Sequence, residues 1–294
     1  MTAEGQNMKH TMRNTTWALL LMACGGFSSL ADTAATLPAA SAPILLNAHA
    51  DAIAVKALLA KEEASAIQYL LSVQDKTGAW SPETGPAVTA LVVRGLVQSG
   101  RPLSDPAVAK GLAFIETFHQ PDGGYYKDAW PNYCTCIVLG LMSQLPPDAY
   151  REKIAKAQEF LRSIQSVEGK VDDQGKPITP AHPWYGGAGY AGKGATRPDL
   201  SNTAFYIEAL RDSGAKADDP AIKNALIFVS RCQMNSETND LSFAKGQSSG
   251  GFIYSTNAGG ESKFPNQKDR EGHEILAAYG SMTYAGLKSF IYAG

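Results

Sequence analysis

The side chains best suited to chemistry are scattered: four cysteines (Cys24, Cys134, Cys136, Cys232), five histidines and a few paired aspartates. Thiolate and imidazole groups bind zinc when three or four converge, but Cys134 and Cys136 stand two apart in a helical pattern and point in nearly opposite directions. Neither they nor His273 form a ligand set, and His119 and His182 have no partner at metal spacing. The stretch Gly187-Ala188-Gly189-Tyr190-Ala191-Gly192 matches G-x-G-x-x-G, yet Pro183-Trp184 precedes it and Pro198 follows it, so the flanking strand and helix of a dinucleotide site are absent. As a Walker loop it fails at Gly194, where a magnesium-binding hydroxyl belongs. The pairs Asp172-Asp173 and Asp218-Asp219 lie in turns and read as turn and capping chemistry. No Ser-His-Asp order stands out. No cofactor and no metal is expected.

Composition narrows the partners. The 294 residues are 44% hydrophobic and 18% charged, with a net charge of -2, so the chain can bury a sizeable core and lacks the basic footprint of a nucleic-acid binder. Apolar small molecules and proteins remain. Lys9, His10 and Arg13 precede an apolar run that ends in Leu21-Met22-Ala23-Cys24, the order of an export signal, and the last four residues resemble a lipobox with Cys24 as the lipidated residue. The alternative is ordinary cleavage after Ser29-Leu30-Ala31. The expected organisation is a leader over residues 1–31, a tether over 32–50 rich in Ala, Pro and Ser, and a folded domain over 51–294, C-terminally incomplete. The expected location is the periplasm or cell envelope, with the membrane reached only through the lipid anchor. The three remaining thiols are an odd number in an oxidising space.

The folded part repeats. An offset of 114 residues superposes Thr89-Ala90-Leu91 on Thr203-Ala204-Phe205, and Asp105-Pro106-Ala107-Val108 on Asp219-Pro220-Ala221-Ile222. Gln74, Gln120, Gln165 and Gln233 each close an apolar-periodic segment. Each unit reads as helix, turn, helix. The turns run Gln74-Asp75-Lys76-Thr77-Gly78-Ala79-Trp80, Gln120-Pro121-Asp122-Gly123-Gly124-Tyr125-Tyr126 and, more loosely, Gly250-Gly251-Phe252 after Gln233. A long insertion carrying His182, Trp184, Tyr185 and Tyr190 separates the helices of the third unit.

These turns resemble the Gln-Gly-Trp signature of the prenyltransferase and squalene oxidase repeat of terpenoid cyclases and protein prenyltransferases, over roughly residues 50–294. The resemblance implies an all-α fold: an α/α toroid, or an open partial toroid, of alternating inner and outer helices around an apolar cavity. The inner helices would be 86–98, 132–144, 201–212 and 280–293. Leu91, Val92, Val138, Leu139, Phe205, Tyr206, Tyr284, Phe290 and Tyr292 then become cavity or packing candidates. In family members that protonate an alkene, an Asp-x-Asp-Asp motif opens an inner helix. Here Asp199-Leu200-Ser201-Asn202 stands in that place, with Asp199 at the first position and Ser201 and Asn202 replacing the central and last carboxyls. Neither a hydroxyl nor an amide can supply that proton, so squalene cyclisation by protonation is not expected. Asp199 is a weak catalytic candidate and otherwise a helix cap. The candidate ligand-binding residues are Trp184, Tyr185, Tyr190, Ser201, Asn202, Phe205, Tyr206 and Tyr284. Three functions follow: binding of an apolar ligand or an envelope protein, a diverged enzyme acting on an isoprenoid, or a polysaccharide-active toroid.

Overall fold

The computed structural model describes residues 50–192, 196–268, 272 and 274–294. The expected leader, Cys24, the tether before residue 50, and His273 lie outside them. Residues 56–294 form one compact unit. Among the described residues eight helices carry it: α1 (Ala50–Ser72), α2 (Pro86–Gln98), α3 (Pro106–Glu116), α4 (Pro131–Met142), α5 (Pro147–Ile164), α6 (Leu200–Asp212), α7 (Pro220–Arg231) and α8 (Gly280–Ala293). Two short antiparallel pairs follow α7, β1 (Gln233–Asn235) with β2 (Ser248–Phe252) and β3 (Gln267–Lys268) with β4 (Glu274–Ile275).

Proline sets most helix starts, because its fixed φ suits the first turn and its missing N–H costs nothing there. Asp105 and Asp219 cap α3 and α7, accepting from the backbone N–H of Ala107 at 2.9 Å and Ala221 at 2.8 Å. This is the 114-residue repeat in structural form. The inner helices appear where expected, except that α4 and α6 each start one residue earlier and α4 ends at Met142.

The helices form two layers. In the first, α2 packs on α4, α4 on α6, and α6 on α8; α3, α5 and α7 lie against them as the second layer. The fold is all-α with paired inner and outer helices, the α/α toroid arrangement. Leu96, Val138, Leu139, Leu161, Ile207 and Phe228 are fully buried between the layers. A buried ion pair from Arg94 of α2 to Asp212 of α6, 3.1 Å, spans the intervening α4. It passes over Gly140, where an added Cβ would lie 2.7 Å from the guanidinium.

One set of contacts recurs in every unit. The first backbone N–H after the turn is donated to a threonine hydroxyl on the following inner helix: Trp80 to Thr89, Tyr125 to Thr135, Ala188 to Thr203 and Phe252 to Thr283, at 3.0 to 3.2 Å. The glutamine amide holds the turn from the other side, Gln74 donating to Gly78 O and Gln165 to Gly186 O, both at 2.9 Å. Each of these two amides also reaches the next outer helix, at Ala107 O and Ala221 O. The third turn is therefore split. Its glutamine and glycine stand 21 residues apart instead of 4, and the insertion loops out between them.

Cys134, Cys136 and Cys232 are buried, free thiols. Burial pushes the Cys134 thiol up to about 11, which keeps it protonated and unreactive near neutral pH.

Candidate functional site

The N-terminal ends of α4 and α6 bring together a carboxyl, two amides and four aromatic rings. Asp199 is the N-cap of α6: Oδ1 accepts from Asn202 N at 2.8 Å and Oδ2 from Asn202 Nδ2 at 2.7 Å. It is only 2% exposed. Burial pushes its carboxyl up to about 6, against the opposing pull of the Asn202 and Tyr254 donors. Asn202 Oδ1 in turn accepts from Asn132 Nδ2 at 3.2 Å, and the same Asn132 group donates to Gly189 O at 2.9 Å. This buried chain ties α4, α6 and the end of the insertion together.

Above the chain sit the rings. Tyr133 of α4 donates its hydroxyl to Ser201 Oγ at 2.5 Å. Its ring stands edge-on to Tyr190 at 5.5 Å and to Phe205 at 5.1 Å. The hydroxyls of Tyr190 and Tyr254 lie 3.4 Å apart. Lys263, paired with Glu261, places its ammonium 4.3 Å from the centre of the Tyr254 ring. The loop carrying Tyr254 is fixed by Leu200 N donating to Tyr254 O at 2.8 Å and by Ser255 Oγ donating to Pro198 O at 2.7 Å. Tyr279 lies near the same carboxylate, and burial with that negative charge pushes its phenol up to about 12.

Of the residues expected from the sequence, Tyr190, Ser201, Asn202 and Phe205 meet here, with Asp199 beneath them. Tyr206 does not line an opening: it is fully buried, because its position on α6 turns toward the second layer. Trp184 and Tyr185 pack with Ile178 in a separate buried cluster. Tyr284 lies on α8, 44% exposed. Val138 and Leu139 are core residues.

Sequence reasoning missed Asn132, Tyr133, Tyr254 and Lys263. Tyr133 had a signal, since it stands two residues before Thr135 as Ser201 stands two before Thr203, so hydrogen-bonded partners occupy equivalent places in neighbouring repeats. Tyr254 and Lys263 come from an irregular loop and carried none.

His182 is held structurally, with Nε2 3.2 Å from Asp172 Oδ2 and Nδ1 accepting from Trp184 N at 3.1 Å. The glycines 187 and 189 are close-packing positions: an added Cβ would lie 2.5 Å from Pro198 and 2.6 Å from Arg197 O respectively. Among the described residues no group of three His, Cys, Asp or Glu side chains could hold a metal ion, and no helix is long and apolar enough to cross a membrane.

No family model and no curated protein matches the chain. Solved structures do. A type II terpene cyclase from Scytonema, in complex with its product merosterolic acid A, is 18% identical with a TM-score of 0.38, covering 63% of this chain and 55% of its own. A complex of that cyclase with geranylgeranyl dihydroxybenzoate, its substrate, gives 18% and 0.37, covering 62% and 53%. A polysaccharide lyase is 17% identical with a TM-score of 0.42, covering 77% and 63%. The likeness is one of fold. The chain spans less than two thirds of the length of each of these structures.

Proposed function

We propose that the protein binds a small apolar ligand with a polar end at the ring cluster over α4 and α6, as an exported protein anchored through a lipid on Cys24. The observation that carries the binding reading is the packing of Tyr133 against both Tyr190 and Phe205, with hydroxyls at its edge. Half-buried rings offer apolar surface, and the hydroxyls can pair with one polar group, the combination that small-molecule sites use. A diverged enzyme acting on an isoprenoid is the competing reading, favoured by the Asp199 carboxyl at about 6. Against it, both Asp199 oxygens accept hydrogen bonds from Asn202 at the start of α6, and Ser201 and Asn202 stand where the motif's other two carboxyls belong. Capping, not proton donation, is the chemistry of that group.

Farnesol, a linear isoprenoid alcohol, is a suitable probe. Phe205→Ala should weaken its binding by roughly 10- to 100-fold, the worth of one buried ring, and no cyclic product should form. Binding of farnesol that ignores both Phe205→Ala and Tyr133→Ala would overturn the site, and product formation abolished by Asp199→Asn would favour the enzyme. Anchoring is tested separately, by fractionating cells that express Cys24→Ala. A variant that stays in the membrane fraction like the parent is not anchored through Cys24.

A further inference from the structure

A cleft of about 190 Å³ opens between the C-terminal end of α5 and the insertion, lined by residues that include Ile164, Ser166, Lys170, Trp184, Gly192 and Thr196. Lys170 brings the only charge to the described lining, and no carboxylate lines it. Lys170, intermediate in burial, donates one ammonium hydrogen to Ser163 O at the end of α5, and it has no acidic partner among the described residues. An ammonium has three donors, so two remain. The Ser166 hydroxyl makes no hydrogen bond among the described residues, and neither does the Trp184 indole N–H. Desolvation lowers the Lys170 pKa, which is the response of a cation that lacks a compensating anion.

The walls are fixed from behind. Trp184 stands edge-on to His182 at 5.8 Å and packs against Ile178 and Tyr185, and His182 is itself locked between Asp172 and the Trp184 backbone. The cleft thus combines unpaired donors, a positive charge and an indole wall. An apolar cavity of about 150 Å³ accommodates benzene, so this volume admits a single six-membered ring with one substituent.

We propose that this cleft binds a small organic carboxylate of about benzoate size, with its anionic end on Lys170 and Ser166 and its ring against Trp184. Capping of α5 alone accounts for one of the Lys170 hydrogen bonds. It does not account for an open cleft with further donors and no carboxylate among its described lining.

The test is calorimetric titration of the purified protein with benzoate and with benzyl alcohol, which has nearly the same shape and no charge. Benzoate should bind roughly tenfold or more tightly than benzyl alcohol, the difference expected for hydrogen bonds to a charged group. Lys170→Met should remove that preference, Lys170→Arg should keep most of it, and added salt should weaken it. Tyr133→Ala, in the other cluster, should leave benzoate binding unchanged. Equal affinity for the two probes, benzoate affinity untouched by Lys170→Met, or no benzoate binding at millimolar concentration would each overturn the proposal. If Lys170→Met does not fold, Ser166→Ala with the salt titration on the parent decides the same question.

Discussion

The turn at Asp75 and the turn at Asp172 are built by the same hydrogen bonds and do different work. In both, the aspartate N–H reaches the carbonyl four residues on, Ala79 O at 3.0 Å and Lys176 O at 2.9 Å, and a glycine N–H returns to the aspartate carbonyl at 3.1 Å. In both, aspartate Oδ1 accepts from the N–H groups two and four residues on, at 2.8 to 3.0 Å. The Thr77 hydroxyl and then the backbone donors hold the Asp75 carboxyl below its usual range, and the backbone donors with His182 do the same for Asp172. The two turns share an Asp-x-x-Gly sequence, whose aspartate and glycine make these bonds. What surrounds it differs. Gln74 ties the first turn to α3 through Ala107 O, and an added Cβ on Gly78 would meet Lys110 O at 2.6 Å, whereas one added on Gly175 would meet nothing within 4 Å. The turn is local chemistry; stacking of repeats is the work of the glutamine and of the next outer helix.

The largest expected effects break the stacked turn. Trp80 is 4% exposed and donates its indole N–H to Leu70 O at 2.7 Å, so Trp80→Ala should cost about 3 to 5 kcal/mol in urea denaturation. Gly78→Ala adds a left-handed penalty to a backbone clash and should cost about 2 to 5 kcal/mol. A Trp80→Ala protein as stable as the parent would mean that the turn does not hold the repeats.

That asymmetry also explains what could be read from the sequence. The inner helices, the capping aspartates and the turns at Trp80 and Tyr125 were legible because each rests on residues adjacent in the chain. The third turn was not, because Gln165 and Gly186 stand 21 residues apart and Ala188 replaces the aromatic that marks its relatives. The ring cluster was half legible: Ser201, Asn202 and Phe205 belong to a motif, but Tyr254 arrives from a loop with no period. Burial direction was the remaining gap. Phe205 and Tyr206 are neighbours in a helix about 100° apart, so one lies in the cluster and the other in the core.

Asp199 sharpens the contrast with Asp75 and Asp172, since all three cap or close a turn but only Asp199 has its pKa raised. A folded pKa of about 6 lies above the unfolded value near 3.8, so this group contributes most stability below pH 4 and loses it as pH rises through 6. The shift corresponds to on the order of 3 kcal/mol. Asp75 and Asp172 act in the opposite sense, stabilising above pH 4 and less so as pH falls. Unfolding free energies of Asp199→Asn and parent, compared from pH 4 to 7, should diverge in favour of the variant as pH rises. A constant difference would place the Asp199 pKa in the ordinary range.

The threonine contacts carry a smaller expectation, the same in all repeats. Thr203→Val leaves the buried Ala188 N–H without its acceptor and should cost about 1 to 3 kcal/mol; Thr89→Val should do the same through Trp80 N. Matching losses would show that the split third turn is as tightly held as the continuous first one. A neutral Thr203→Val would make the third unit a looser member.

The smallest effect isolates the comparison itself. Gly175 has φ +79° and Gly78 φ +91°, so alanine at either position incurs the same left-handed cost, roughly 1 to 2 kcal/mol. Alanine also restricts the unfolded chain equally at both, returning about 0.4 to 1 kcal/mol. With open space around it, Gly175→Ala should therefore destabilise by only about 1 kcal/mol, while Gly78→Ala carries the additional collision with Lys110 O. Subtracting one loss from the other removes every contribution intrinsic to the turn and leaves the close approach to α3. If the two variants lose the same stability, that approach contributes nothing, and the first turn is no more a stacking element than the one in the insertion.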